Sequence, residues 1–221
     1  MRNKAETDLF QEYAVTLENS LELITEEKRT FYFVMKRIID VIFSLIGLII
    51  TLPVIVVFSI LIKLETPGPV FFLQERVGLN GRYFTIIKLR SMGADAEKNG
   101  AKWAEKNDPR VTKIGAFIRK TRIDEIPQLW NVLVGEMSLV GPRPERPMFT
   151  AQFNDEIPGF VERLKVKPGI TGWAQINGGY DISPREKFTL DKYYIQHISP
   201  SLDLKIVIKT VIVCLTGNGA R

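Results

Sequence analysis

The feature that most constrains this chain is a run of 22 residues without a charged side chain, from Val41 to Ile62. A helix of about 20 apolar residues is long enough to cross the hydrocarbon core of a bilayer. Pro53 lies near its middle, where a missing backbone donor and a steric clash predict a kink or a break. Basic residues flank both ends, whereas a spanning helix carries them mainly on its cytoplasmic side. We therefore predict a re-entrant membrane helix over residues 34–63, with a plain spanning helix as the alternative.

The residues on either side of this run predict two further units. Residues 1–33 carry apolar side chains at three- and four-residue intervals among many glutamates, the pattern of an acidic amphipathic helix. They lack the apolar core of a cleavable signal peptide. Residues 64–221 are numerous enough for one domain with its own core. We expect these residues to form one domain with interfacial helices.

Local patterns within residues 64–221 predict a helix-rich α/β (α+β) fold with a small β-hairpin. Val70–Leu73 and Tyr83–Leu89 are β-branched and aromatic runs, and the loop between them contains an Asn-Gly pair. Polar residues over 94–106 predict a surface helix, and apolar residues at helical spacing over 202–215 predict an amphipathic helix on a core or a membrane interface. The glycine-rich segment 165–179 predicts a structured loop, in which glycines serve either ordinary turns or close approach to a ligand.

The distribution of charge points to a partner that carries phosphate. Residues 1–35 hold 4 basic and 7 acidic side chains, whereas residues 76–143 hold 13 basic and 7 acidic ones. Such a basic region suits a phosphorylated ligand, an anionic membrane surface or a nucleic acid. Lys88 and Arg90 share one face of the second predicted strand, although exposed basic residues are common on strands.

The basic region surrounds the acidic pair Asp124-Glu125, which precedes apolar residues at helical spacing up to Gly135. We predict that a helix begins at this pair, with Pro127 in its first turn. Ordinary helix capping is the simplest interpretation of two acidic residues there. A cap requires neither the preceding bases nor the Gly141–Pro144 turn that follows. Since neighbouring helical side chains diverge by about 100°, the two carboxylates should have different roles.

Several familiar chemistries find no support in the residues. The chain lacks the phosphate-binding GxxxxGK[ST] loop, GxGxxG, GxSxG, HExxH and an Asp-x-Asp metal motif. Cys214 is the single cysteine and His197 the single histidine, so an internal disulfide, a structural zinc site and a His-dependent triad are all disfavoured. Nucleic acid is not an expected partner, because the basic region contains no known binding module and the chain is predicted to be membrane-bound. A membrane enzyme that acts on phosphates remains.

Seven ordered blocks carry a resemblance to a known family: KRIIDVIFS, GPVFFLQERVGLNGRYFTIIKLRSM, NDPRVTKIGAFIR, DEIPQLWNVLVGEMSLVGPRPE, KPGITGWAQING, LDKYY and LDLK. From about Phe31 onwards the chain resembles the monotopic phosphoglycosyl transferases, which are bacterial sugar transferases. The resemblance implies transfer of sugar-1-phosphate from a UDP-sugar to polyprenyl (undecaprenyl) phosphate, with release of UMP. This reaction would be the first membrane step in the synthesis of an exopolysaccharide, a capsule or a glycoconjugate.

The resemblance also assigns roles to individual residues. Asp124 would be the nucleophile that forms a covalent phosphosugar intermediate, and Glu125 would act as a metal ligand or a base. Both carboxylates would hold Mg²⁺, the implied cofactor. The side chains expected to bind the substrate phosphates or the nucleotide are Lys88, Arg90, Arg119, Arg143 and Asp203.

The implied location is the bacterial inner membrane, with the catalytic domain on the cytoplasmic face. The expected partners are the lipid bilayer, the UDP-sugar and the polyprenyl phosphate, and a second copy or other polysaccharide-assembly enzymes are further candidates. Two alternatives remain open at this point. The chain could be a catalytically inactive scaffold for polysaccharide assembly, or a glycosyltransferase that moves the sugar without its phosphate and releases UDP.

Overall fold

The computed structural model describes residues 26–96, 98, 108–178 and 182–216. The acidic amphipathic helix expected in residues 1–33 and most of the polar helix expected over 94–106 lie outside the described residues. Within them the fold is helix-rich with a small β-hairpin, as the sequence predicts. A second two-stranded sheet was not predicted, and one of its strands lies in the segment 165–179 that was expected to be a structured loop.

A single long helix, α1, runs from Glu26 to Glu65 and contains the whole uncharged run. It is the one helix in the described part of the chain that is long and apolar enough to cross a membrane. Pro53 lies inside α1, and residues on both sides of it belong to the same helix. The expected break therefore does not end the helix. Its re-entrant course through the bilayer stays a prediction.

The two faces of α1 have different surroundings. Asp40, Ser44 and Ile62 are buried against the rest of the chain and recur at helical spacing. The opposite face leaves large apolar side chains exposed, among them Ile42, Phe43, Ile46, Ile49, Ile50, Leu52, Val57 and Ile60. An exposed apolar surface of this length is what insertion into lipid would cover.

The predicted hairpin is present and its first strand is longer than expected. β1 (Phe71–Val77) pairs with β2 (Tyr83–Leu89) in antiparallel register, with Phe72 opposite Lys88. The connecting turn at Leu79–Gly81 places Asn80 at φ 52°, a left-handed conformation that asparagine tolerates well. The register places Lys88 on the face of β2 that also carries buried Phe84 and Ile86.

The segment that follows the hairpin contains short helices and one short strand. Helix α2 covers Lys113–Lys120, and α3 covers Gln128–Val134. Gly135 ends α3 with a left-handed φ of 95°, which confirms the predicted stop. Strand β3 is Ser138–Val140, and helix α4 is Pro147–Glu156.

The glycine-rich segment forms part of a second, parallel sheet. β4 (Gly169–Thr171) pairs with β3, and helix α5 (Trp173–Asn177) follows directly. A Cβ on Gly169 would fall on the backbone nitrogen of Gly141, well inside van der Waals contact. These two glycines therefore serve the close approach of two backbone segments.

Two helices complete the described chain. α6 (Pro184–Gln196) begins with a capping box, in which Ser183 and Glu186 satisfy each other's backbone N–H groups. α7 (Pro200–Thr216) confirms the helix predicted over 202–215. Ile206 of α7 packs with Tyr194 of α6 in the core beside β3.

Candidate active site

The acidic pair lies one turn before helix α3, whereas the sequence predicted that the helix would begin at the pair. Asp124 and Glu125 belong to a 3₁₀ turn, Ile123–Glu125, which Arg122 enters with a left-handed φ of 60°. Helix α3 starts only at Gln128, after Pro127. The pair is therefore presented by a separate turn between α2 and α3, and helix capping does not account for it.

Glu125 is surrounded by basic side chains. Lys88 Nζ donates to Glu125 Oε1 over 2.8 Å, and Arg143 donates to the same oxygen. Arg122 lies 3.9 Å from the other carboxylate oxygen. Burial by itself would raise the pKa of Glu125, but Arg143 and Lys88 outweigh it and hold that pKa well below its usual range. Glu125 is thus a permanently ionised group with cation partners.

Asp124 is in a different environment, although it is the adjacent residue. Its side chain is buried, and its Oδ1 has no hydrogen-bond partner among the described residues. Burial and the charge of Glu125 raise the pKa of Asp124 to about 6, against the opposing effect of Lys88 and Arg143. A buried carboxylate oxygen without a partner is costly, and such groups are typical of sites that react or bind.

Both carboxylates line a cleft of about 390 Å³. Its lining is strongly basic, with nine Lys or Arg side chains and three carboxylates in the described part of the chain. The basic residues are Arg76, Lys88, Arg90, Arg110, Arg119, Arg122, Arg143, Arg146 and Lys187. A cleft of this volume and charge suits a ligand with several phosphate oxygens.

The turn that carries Arg143 is held by hydrogen bonds to its backbone. Arg76 donates to the carbonyl of Pro144 over 2.9 Å, and Arg163 donates to the carbonyl of Arg143 over 2.8 Å. The backbone N–H of Val77 donates to the carbonyl of Glu145 over 3.0 Å. Arg143 therefore projects toward Glu125 from a fixed backbone.

A buried ionic network lies behind this turn. Arg163 donates to Asp191 of α6 over 2.7 Å, and Lys187 pairs with Glu145. Burial would raise the pKa of Glu145, but Lys187, Arg163 and Arg76 lower it to about 2. Sequence reasoning missed this network. The only available signal was the concentration of charge on α6, which an exposed helix face explains equally well.

Of the other predicted site residues, Arg119 and Arg90 both line the cleft but make different contacts. Arg119 of α2 lines the cleft, and its charge lowers the pKa of Asp124. Arg90 also lines the cleft, but its guanidinium donates to the carbonyls of Thr66 and Pro67 and so holds the turn after α1.

Asp203 is the predicted site residue that the structure does not bring to the cleft. It accepts hydrogen bonds from Tyr32 and Lys36 of α1, both over 2.6 Å, and from Tyr194 of α6 over 2.8 Å. It therefore joins three helices, and its predicted phosphate contact is not favoured by this position.

Two adjacent carboxylates line the cleft as candidate ligands for the Mg²⁺ that the family resemblance implies. Among the described residues no group of three or more His, Cys, Asp or Glu side chains could hold a metal. Mg²⁺ is commonly held by one or two carboxylates together with substrate phosphates. The unpartnered oxygen of Asp124, with Glu125 beside it, fits that kind of binding.

Comparison with known proteins is consistent with a phosphate-directed site. A family model described as bacterial sugar transferase matches residues 31–217. A Bacillus subtilis (strain 168) protein, provisionally named an undecaprenyl-phosphate N-acetylgalactosaminyl 1-phosphate transferase, is 61% identical over 154 residues, which are 70% of this chain and 85% of that protein.

Two longer relatives share the same kind of name. The UDP-N-acetylgalactosamine-undecaprenyl-phosphate N-acetylgalactosaminephosphotransferase of Aeromonas hydrophila is 49% identical over 86% of this chain and 46% of its own length. The UDP-glucose:undecaprenyl-phosphate glucose-1-phosphate transferase of Escherichia coli (strain K12) is 42% identical over 80% of this chain and 39% of its own length. The match thus spans less than half the length of these two relatives.

Proposed function

The chain belongs to the bacterial sugar transferase family and is a phosphoglycosyl transferase, and we propose that it transfers sugar-1-phosphate from a UDP-sugar to undecaprenyl phosphate. The relatives' names support the lipid acceptor and the general reaction. The observation that carries the proposal is the contrast within the acidic pair. Glu125 is neutralised by Lys88 and Arg143, while Asp124 keeps a carboxylate oxygen without a partner.

Asp124 is the proposed nucleophile. One of its carboxylate oxygens attacks the phosphorus that carries the sugar, the bond from that phosphorus to the bridging oxygen breaks, and UMP leaves with the electron pair. A phosphate oxygen of the lipid then attacks the same phosphorus, and the bond to Asp124 breaks and restores its carboxylate. A covalent intermediate of this kind lets one site serve a soluble donor and a lipid acceptor in turn.

The basic residues of the cleft reduce the electrostatic repulsion between the attacking carboxylate and the substrate phosphates. A carboxylate that approaches a phosphate oxygen meets a repulsion of about 4 kcal/mol per charge pair at 4 Å with an effective dielectric of 20. Lys88 and Arg143 lie at the adjacent carboxylate, and Arg119 lies on the cleft wall. We assign to these three side chains the binding and neutralisation of the substrate phosphates.

Glu125 has two proposed functions in this arrangement. The first is to fix the positions of Lys88 and Arg143 through its ionised carboxylate. Because its pKa is low, Glu125 does not act as a proton donor at neutral pH. The second function is to help hold a metal ion. Asp124 and Glu125 together would hold Mg²⁺ with the diphosphate oxygens of the donor, and the ion would supply further neutralisation of phosphate charge.

We propose a re-entrant course for α1 with the catalytic domain on the cytoplasmic face, and the docking of α1 supports the re-entrant course. Arg37, before the apolar run, donates to the carbonyls of Val132 and Leu133. Glu65, after the run, accepts from the backbone N–H of Lys113 over 2.7 Å. Both polar flanks therefore bind the same domain. Ile55 and Phe58, inside the apolar run, also pack against its core residues Leu89 and Ile118, whereas a helix that crossed the bilayer would carry these side chains into the lipid, away from a domain on one side.

The test of the reaction is the identity of the nucleotide product. Purified protein with Mg²⁺, undecaprenyl phosphate and UDP-N-acetylgalactosamine or UDP-glucose should release UMP and form a lipid diphosphate sugar. Asp124→Asn should abolish release, while Asp155→Asn, on the solvent side of α4, should not. Release of UDP would identify a conventional glycosyltransferase, and absence of both nucleotides with every donor would identify a scaffold.

A further inference from the structure

The part of α1 just before the apolar run binds two elements of the catalytic domain through polar side chains. Arg37 Nη1 donates to the carbonyl of Val132 over 2.6 Å, and Nη2 donates to the carbonyl of Leu133 over 2.7 Å. These carbonyls belong to the last turn of α3, where backbone donors are scarce, although the N–H of Gly135 also donates to the carbonyl of Val132 over 3.1 Å. A guanidinium at this end also interacts favourably with the helix dipole. Arg37 therefore fixes the end of α3 that lies away from the acidic pair.

Asp40, one turn further along α1, binds β3. Its Oδ1 accepts from the backbone N–H of Leu139 over 2.9 Å, and the side chain is only 3% exposed. The other edge of β3 is occupied, since Ser138 and Val140 pair with β4. A buried strand N–H without a partner costs about 1–3 kcal/mol, so the carboxylate of Asp40 completes the pairing of this strand.

The two bound elements carry the active site at their opposite ends. α3 follows the turn of Asp124 and Glu125, and β3 leads directly into the turn that presents Arg143. The hydrogen bond between Arg143 and Glu125 joins those two ends. Arg37 and Asp40 are three residues apart on one face of α1. They bind α3 and β3 on the side away from the active site and so set the distance between these two elements.

We propose that Arg37 and Asp40 are positioning residues, through which the membrane helix sets the geometry of the acidic pair and Arg143 as well as anchoring the chain. This inference rests on the proposed function. Packing in the same region agrees with a fixed distance, because Gly47 faces Leu129 of α3 so closely that a Cβ there would touch its methyl group.

The experiment separates positioning from anchoring by using the first half-reaction alone. Formation of the phosphosugar intermediate, followed as a single-turnover burst of UMP, requires no lipid acceptor. Asp40→Ala removes the acceptor for the N–H of Leu139, whereas Asp40→Asn keeps an acceptor oxygen on a side chain of the same length. The matched control is Ile42→Ala, at an exposed position of the same helix. Flotation with membrane vesicles and thermal unfolding are measured for each variant.

We expect every variant to float with the vesicles. The maximal burst rate of Asp40→Ala should fall about tenfold or more with little change in the donor concentration for half-maximal rate, since about 1.4 kcal/mol of lost positioning is a factor of ten. Asp40→Asn should stay within about threefold of wild type, and Ile42→Ala should match wild type.

Two results would overturn the inference. A folded Asp40→Ala protein with the wild-type burst rate would mean that α1 only anchors the chain in the membrane. An Asp40→Asn protein as slow as Asp40→Ala would mean that loss of the hydrogen bond to Leu139 does not cause the lower burst rate. If Asp40→Ala does not fold, Arg37→Lys decides, because it keeps the charge but reaches only one carbonyl of α3. Its burst rate should fall about tenfold, and an unchanged rate would contradict the proposal. Failure of wild-type protein to release UMP would instead contradict the proposed function.

Discussion

Lys88 Nζ lies 2.8 Å from Oε1 of Glu125, so a base from the hairpin neutralises a carboxylate from the turn before α3. Arg143 reaches the same oxygen from the turn after β3. Three separate elements thus meet at one side chain, while the neighbouring Asp124 keeps an oxygen without a partner. The arrangement divides the pair into one structural carboxylate and one reactive carboxylate, and this division has measurable consequences.

The first prediction concerns the pH dependence of intermediate formation. The proposed nucleophile must be ionised, and burial together with Glu125 raises the pKa of Asp124 to about 6. The burst rate of UMP should therefore fall at acid pH as Asp124 becomes protonated, with the midpoint at or below about 6 because bound Mg²⁺ lowers the pKa of a carboxylate that holds it. Arg143 lowers that pKa, so Arg143→Gln should move the acid limb to higher pH in addition to slowing the reaction. The control is Lys192→Met, which removes a solvent-accessible basic side chain of α6 and should not change the pH at which the burst rate falls.

The second prediction concerns stability at the same residue. Because the folded-state pKa of Asp124 is raised above its unfolded value, its contribution to stability is fully present below about pH 4 and is lost as the pH rises through about 6. Asp124→Asn avoids this loss. It should raise the free energy of unfolding by about 3 kcal/mol at pH 7.5 and by much less at pH 4. Equal effects at the two pH values in thermal or chemical unfolding would contradict the assigned environment of Asp124.

The residues that could be placed from sequence are those whose signal is local. The hairpin follows from alternating side chains and an Asn-Gly turn, and α7 follows from apolar residues at helical spacing. The acidic pair could be singled out as a candidate, because the bases before it and the turn after it lie within a short stretch of sequence. The start of α3 was placed too early, since the left-handed Arg122 creates a separate turn that the helical pattern does not reveal.

The residues that were missed have partners far away in sequence. Asp40 and Leu139 are 99 residues apart, and Lys187 and Glu145 are 42 apart. Such a pair depends on how α1 or α6 packs, which hydrophobic periodicity does not specify. Asp203 shows the converse problem. The family resemblance implied a role for it in binding the substrate phosphates or the nucleotide, whereas its contacts make it a junction between helices.

The third prediction tests the support of Arg143 by the buried network. Arg163 donates to the carbonyl of Arg143 and to Asp191 from one guanidinium, which a lysine cannot imitate. Arg163→Lys should lower the rate of the first half-reaction about tenfold and move its acid limb to higher pH, in the same direction as Arg143→Gln. Arg185→Lys, at an exposed position of α6, is the matched control. A fall in thermal stability without any change of the pH profile would make Arg163 a purely structural residue.

The fourth prediction concerns the glycines between β3 and β4. A methyl group on Gly169 would overlap the backbone of Gly141, which cannot move aside as a flexible side chain can. Gly169→Ala should therefore destabilise the fold by about 3 kcal/mol. Gly93→Ala would meet only the side-chain oxygen of Asp95 and should cost far less, so the two unfolding midpoints compared in the same detergent provide the measurement. Similar midpoints would show that β3 and β4 separate easily.

The last prediction concerns the path of α1. Arg37 binds the end of α3 and Glu65 binds the first turn of α2, so both flanks of the apolar run are held by one domain. Tags placed at residue 1 and at residue 221 should consequently both be cytoplasmic, as reported by labelling in intact and opened cells. Replacing Pro53 by leucine restores a backbone donor and favours a straight helix, and it should shift part of the population toward a spanning form with the two tags on opposite sides. Opposite locations in the wild-type protein would make Val41–Ile62 a transmembrane span and would require one of the two docking contacts to break in the membrane.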